Sequence, residues 1–272
     1  MRLQTKIIRG LKTAWLEDGE NTAGKPLLFF IHGFPDSAEV WRRQLQHFAQ
    51  SYHVVAPYLR GAGESEVPTE STRCDMDSVL LDHLAILREI MTDPQQKICV
   101  IGHDIGGIHA WHLARALGDR LSHLILLNAP ELQQMVRKLA YLPQLMRSWY
   151  FGVFALPKIP EMLLARWGEK ILAAAPEPDL QAAPQLLDHY RQAMKTSLQW
   201  ISSGEAAVSP IQAPVLVLWG KNDPYLLPPS MTEIEALAIH ATIRVLDTAH
   251  WPQLEKTDKV NSLISNFLEQ NL

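Results

Sequence analysis

The chain has 272 residues, 47% hydrophobic and 20% charged, with a formal net charge of -4 and two cysteines. That length and composition fit a globular protein with a substantial core, and without a basic bias no nucleic-acid partner is expected. No apolar run reaches a bilayer span, the N-terminus lacks a secretory apolar segment, and Cys74 and Cys99 make no disulfide framework, so a cytoplasmic protein with no membrane partner is expected.

The predicted elements alternate from the start. "LQTKIIRGLKTAWLEDGE" reads as two short strands meeting at Gly10, an antiparallel edge. "LLFFIH" (27–32), "HVVAPY" (53–58), "KICVIGH" (97–103) and "LSHLILLN" (121–128) are short apolar runs of the kind found in strands buried on both faces. Helical patterns lie between them at 40–50, 76–91 and 108–118. This rhythm predicts βαβ crossovers and a mostly parallel sheet with helices on both faces.

From 132 to 207 the alternation stops. Only helical periodicity remains, interrupted by prolines and rich in aromatic and Met side chains. It resumes with a strand at 213–220, a helix at 230–239, a strand at 241–247 and a final helix from about Leu254. The expected architecture is an α/β core of residues 1–131 and 208–272 with a helical cap, 132–207, inserted between core strands. Such an insertion lies over the C-terminal strand ends, where open α/β sheets bind ligands.

Polar residues cluster at those strand ends. In "CVIGHDIGGIHAWHLA", Gly102, Gly106 and Gly107 flank Asp104 at a strand-to-helix bend. Small neighbours let strand and helix pack closely around a projecting reactive side chain. Taken alone, the bend fits an N-capping aspartate equally well. "FFIHGFPDS" can aim a backbone N–H, that of Phe34, beside that of Ile105 at a developing oxyanion. Asp223 follows the strand "LVLWG", and His250 follows the last strand, so the chain order is nucleophile, acid, histidine. Three reactive side chains at three strand exits in that order favour the catalytic reading. His32 and His103 read as structural hydrogen-bonders, and Glu131 as an alternative acid. No His or Cys spacing suggests a metal site.

With "HGFP", "GHDIGG", "WGKNDPYL" and "AHWPQLE" in this order, the chain resembles the α/β-hydrolase superfamily, and within it the epoxide hydrolase-like group with an aspartate nucleophile. The resemblance implies an α/β-hydrolase fold, a covalent alkyl-ester on Asp104, and water activated by His250 and Asp223. It also implies two cap tyrosines directed at the epoxide oxygen. "RSWYFGVFALPKIPE" puts that role on Tyr150 and "LLDHYRQAMKTSLQW" on Tyr190; either ring alone could instead be core packing, but their joint fit favours the functional reading. One departure is Tyr58 in "APYLRGAGES", where the family commonly has aspartate.

The chemistry of the nucleophile agrees. A carboxylate with a pKa of about 3.9 is ionised at neutral pH without a base. Attack on an ester carbonyl would give a mixed anhydride, whereas attack on a saturated carbon gives a stable alkyl ester. Such a nucleophile points to an electrophilic sp³ carbon with a leaving group, an epoxide or a carbon–halogen bond; the resemblance implies a small apolar epoxide, opened to a vicinal diol with no cofactor. Haloalkane or haloacid dehalogenation is the alternative with the same nucleophile. Those relatives characteristically have tryptophan or arginine immediately after the nucleophile, and here Ile105 offers no side-chain donor. A non-catalytic small-molecule receptor on the same fold is an alternative of another class.

Overall fold

The computed structural model describes residues 1–20, 25–203 and 208–270; the last residues of the expected cap, 204–207, lie outside the described residues. The N-terminal runs form β1 (Arg2–Ile8) and β2 (Leu11–Asp18), paired antiparallel around Gly10. There follow β3 (Leu27–Ile31), α1 (Arg42–Phe48), β4 (Val54–Pro57), α2 (Met76–Ile90), β5 (Ile98–His103), α3 (Ile105–Leu117) and β6 (Leu121–Leu127). Five helices come next: α4 (Leu132–Lys138), α5 (Leu142–Arg147), α6 (Trp149–Phe154), α7 (Ile159–Ile171) and α8 (Ala183–Ser203). The chain ends with β7 (Val215–Gly220), α9 (Met231–Glu235), β8 (Ala241–Leu246), α10 (Pro252–Glu255) and α11 (Thr257–Gln270).

The eight strands form one sheet in the order β1-β2-β4-β3-β5-β6-β7-β8, antiparallel only where β2 meets β1 and β4. All five residues of β3 are fully buried, as are Ile98 to Ile101 of β5. Continuous apolar runs are what strands covered on both faces require. From β3 the chain crosses to β4 on one side; from β5 it crosses to β6 on the other. The crevice at this reversal, outside the strand C-termini, is where such sheets bind ligands.

Two helices differ from their expected spans. α3 begins at Ile105, three residues before the predicted start, because Gly106 and Gly107 are helical despite their low propensity. α9 stops at Glu235 rather than near 239, because Ile211 pairs with the chain around Ala238 through Leu237 O and Ile239 N–H. Among the described residues, no helix is long and apolar enough to cross a membrane.

α8 is tied to the core through buried histidines. His109 on α3 packs edge-on against His83 on α2 (ring centroids 6.2 Å apart) and against His189 on α8 (5.7 Å). His189 Nε2 also meets the Arg60 carbonyl at 2.9 Å. Burial first, and then neighbouring cationic groups, pushes these rings toward the neutral form: His83 down to about 3, His189 to about 4, and His109 well below its usual value. The groups facing the cluster are His32, His112 and Arg60, with Asp188 opposing on the α8 side.

An unfolded histidine binds its proton below about pH 6.5, whereas the folded rings refuse it until about pH 4 or lower. Stability is therefore complete above pH 6.5 and lost as the pH falls, by about 1.4 kcal/mol per pH unit for each such ring. Thermal melts between neutral and mildly acidic pH should show a steep fall in Tm that is shallower in His83→Phe. Parallel curves for the two proteins would refute this account.

Candidate active site

Asp104 stands between β5 and α3 at φ 52°, ψ -129°, a conformation that costs a non-glycine residue about 1–3 kcal/mol. Close packing holds it there. A Cβ on Gly106 would lie 2.2 Å from the His32 carbonyl oxygen, and one on Gly107 would lie 2.1 Å from the Ala129 Cβ. Only glycine lets the first turn of α3 sit this close to the β3 exit and to Ala129.

The side chain of Asp104 does not cap α3. Its Oδ1 accepts the Phe34 N–H at 3.0 Å, and the Tyr190 hydroxyl donates at 3.0 Å to Oδ1 and 3.3 Å to Oδ2. His250 Nε2 lies 3.4 Å from Oδ2. Ile105 opens α3 with its amide directly after Asp104, and its side chain is buried and apolar.

Behind His250, the Nδ1–H donates to Asp223 Oδ2 at 2.7 Å. Asp223 is fully furnished with donors: the Asn128 amide at 2.5 Å on Oδ2, and the Tyr225 and Leu226 N–H groups at 2.7 and 3.0 Å on Oδ1. The three residues expected from three strand exits are thus brought into one line, His250 hydrogen-bonded to Asp223 and facing Asp104 at 3.4 Å.

Their charges are interdependent. Burial alone would strip His250 of its proton, but the Asp223 and Asp104 carboxylates override it and push its pKa up to about 10. Burial likewise opposes ionisation of Asp104 and Asp223, and the His250 imidazolium with the surrounding donors outweighs it, holding both below the usual carboxylate range. Burial, then the Asp104 charge, raises the Tyr150 and Tyr190 phenols well above 10, so both stay protonated.

A cavity of about 390 Å³ opens in front of this line. Asp104, His250, Tyr150, Tyr190 and Tyr225 supply polar atoms, and the remaining wall is largely apolar, with Phe34, Phe154, Leu164 and Leu172 prominent. Such a site suits a small apolar ligand with one polar end. Tyr150 stacks on Phe151 (centroids 4.8 Å apart) and meets Tyr190 edge-on at 6.5 Å.

Other sequence expectations resolve differently. Glu131 caps α4 by accepting from the Gln133 and Gln134 amides at 2.8 and 3.2 Å, so it does not serve His250. His32 accepts the Leu59 N–H on Nε2 at 3.0 Å and pairs with the Gly33 carbonyl through Nδ1, as a structural residue would. His103 binds the His250 carbonyl at 2.8 Å. Tyr58 donates to Glu39 at 2.8 Å, and its ring lies over Gly63, where a Cβ would come within 2.3 Å.

The sequence reading passed over three supports. Asn128, at φ 43°, ties Asp223 to the Gly220 N–H at the end of β7. Its signal was present: a polar residue closing an apolar strand. Asp36 accepts the Trp251 indole N–H at 3.1 Å and faces His103 at 3.4 Å. Gln144 on α5 is buried and joins the Tyr225 carbonyl and the Leu227 N–H, anchoring the acid loop to the helical insert.

Comparison with known proteins agrees with this architecture. The model of the Alpha/beta hydrolase family matches residues 28–263. Epoxide hydrolase 4 of Homo sapiens is 28% identical over 96% of this chain and 76% of its own length. The AB hydrolase superfamily protein YfhM of Bacillus subtilis is 31% identical over 90% of both chains. A Bacillus megaterium epoxide hydrolase crystallised with an inhibitor superimposes with a TM-score of 0.84, covering 98% of this chain and 100% of that one at 23% identity.

Since two carboxylates hold the proton on His250, neutralising either should release it. NMR titration of the imidazole should give an alkaline pKa in the native protein and a lower one in both Asp104→Asn and Asp223→Asn. An unchanged value in either variant would contradict the electrostatic coupling.

Proposed function

The chain belongs to the alpha/beta hydrolase family, and we propose that within it this protein is an epoxide hydrolase, opening an epoxide to a vicinal diol through an alkyl-ester on Asp104. The observation that carries this reading is a carboxylate, not a hydroxyl, at the strained elbow, with a tyrosine hydroxyl 3.0 Å away and His250 at its other oxygen. Relatives named as epoxide hydrolases match most of the chain. The helices within 132–207 serve as the cap, carrying both tyrosines over the nucleophile.

Asp104 Oδ2 attacks the epoxide carbon from behind, while Oδ1 stays on the Phe34 N–H. The breaking C–O bond delivers its electron pair to the epoxide oxygen, which takes a proton from Tyr150 or Tyr190. A phenol remains far more acidic than the alkoxide it protonates. Esterification removes the Asp104 charge, so His250 loses one of the two carboxylates that hold its proton. That proton restores the phenol, and the net charge of the site is unchanged.

Neutral His250, oriented by Asp223, then takes a proton from water as the water oxygen attacks the ester carbonyl. The Phe34 and Ile105 N–H groups hold the tetrahedral oxyanion. Collapse breaks the acyl C–O bond, the departing alkoxide takes the second proton of the added water, and the diol leaves with Asp104 anionic and His250 protonated again.

A halide leaving group fits less well. Ile105 has no side-chain N–H, and the Trp251 indole is committed to Asp36. Two free, buried cysteines suit a reducing compartment.

In a single turnover in ¹⁸O-water with excess enzyme and an aryl epoxide, the label should enter the Asp104 carboxylate and not the diol. Label appearing directly in the diol would exclude the ester. His250→Gln should accumulate an adduct of the substrate's mass, and no adduct would count against the assigned base. Tyr190→Phe should lower kcat by roughly 10²-fold, in the range expected for a lost general acid. Halide release from haloalkanes without epoxide turnover would favour the dehalogenase alternative.

A further inference from the structure

The helical insert carries an outer surface that the reaction does not use. On α5 and α6, Leu142, Met146 and Trp149 are 64–69% exposed, at i, i+4 and i+7 spacing. On α7, Met162, Trp167 and Ile171 are exposed by 45% or more. Large apolar side chains grouped in this way on a folded surface mark a contact face rather than scatter. Trp149 and Ile171 also line the 390 Å³ cavity, so the face borders the cavity.

Charge identifies the occupant. Residues 132–171 contain six Lys and Arg but only two Glu, in a chain whose acidic residues outnumber its basic ones by 29 to 25. Lys158, Arg166 and Lys170, all exposed, are joined by no ion pair among the described residues. Arg166 lies over the Trp167 ring, 5.4 Å from its centroid. Apolar side chains interleaved with tryptophans and unpaired cations are the pattern of helices that lie in a bilayer interface, with cations at the phosphates and apolar groups beneath. A second copy of the chain is a poor occupant, because a two-fold contact would set these cations against themselves.

We propose that the α5–α7 face docks peripherally on an anionic lipid bilayer, with the cavity mouth turned toward the lipid phase. The expectation of no membrane partner rested on the absence of a spanning run, a criterion blind to this surface. Docking is independent of the reaction. Only the corollary that apolar epoxides reach the site from the bilayer rests on the proposed activity.

The test is co-sedimentation of the full chain with vesicles of equal parts phosphatidylglycerol and phosphatidylcholine, and with vesicles of phosphatidylcholine alone. Binding is expected to the mixed vesicles at low salt and to fall at least tenfold in the Lys158→Glu, Arg166→Glu, Lys170→Glu triple variant. Met146→Ser with Met162→Ser should weaken binding similarly. None of these five residues lines the cavity, and circular dichroism with turnover of a water-soluble epoxide checks that each variant is folded. Absence of vesicle binding overturns the proposal. Equal binding to both vesicle types, unaffected by charge reversal, overturns it too. A native dimer that Met146→Ser with Met162→Ser dissociates, without vesicle binding, reassigns the face to self-association. Failed turnover by a native protein that still binds vesicles would speak against the activity and leave docking standing.

Discussion

Two carboxylates and an imidazole share the buried space where β5, β7 and β8 end, and their mutual charge balance constrains everything around them. Asp104 and Asp223 are each at least nine-tenths inaccessible. Buried carboxylates remain ionised only if cations and donors compensate for lost water. One imidazolium serves both. The remaining compensation comes from groups at other strand ends: the Phe34 amide after β3, the Asn128 side chain after β6, and the Tyr225 and Leu226 amides after β7. The parallel sheet matters here because it delivers all these exits to one edge.

Sterics at the elbow place the Asp104 carboxylate within that balance. Gly102, Gly106 and Gly107 allow β5, α3 and the loop after β3 to approach more closely than any Cβ permits. The contact brings the Phe34 amide to the Asp104 carboxylate, so a packing requirement in glycine becomes a hydrogen bond to that buried carboxylate. It also leaves the Asp104 side chain facing the cavity rather than the helix amides, so the carboxylate does not cap α3.

The central strands were readable because they are buried on both faces, so their apolar runs stand out between Gly, Pro and polar residues. The edges of α3 and α9 were not. The helical glycines of α3 follow from contacts with His32 and Ala129, and the end of α9 follows from a bridge to Ile211. Asp104, Asp223 and His250 were legible because each closes a strand and bears reactive chemistry. Asn128 closes a strand as well, but an amide has no chemistry to announce, and its role exists only through Asp223. Glu131 looked like a second acid because sequence position cannot show which way a carboxylate turns; it turns to the α4 amides. The outer face of the insert was hidden for a related reason: its apolar residues have the same helical spacing as a core.

The two tyrosines near Asp104 are restrained by different means. Tyr190 follows His189, whose ring is buried among His109 and the Arg60 carbonyl, so α8 is held to the core by polar and ring contacts adjacent to the hydroxyl. The Asp179 N–H, just before α8, adds a bond to the Pro35 carbonyl at 2.8 Å. Tyr150 lies on the short helix α6 and packs against Phe151, Phe154, Tyr190 and Tyr225. Ring packing tolerates sliding that directed hydrogen bonds do not. Tyr190 is therefore the more fixed of the two hydroxyls, and on the proposed activity it would be the reference against which an epoxide oxygen is positioned. On the proposed activity the insert uses both properties, because the charge balance fixes where the carboxylate stands and the apolar cavity leaves the rest of the ligand free to vary.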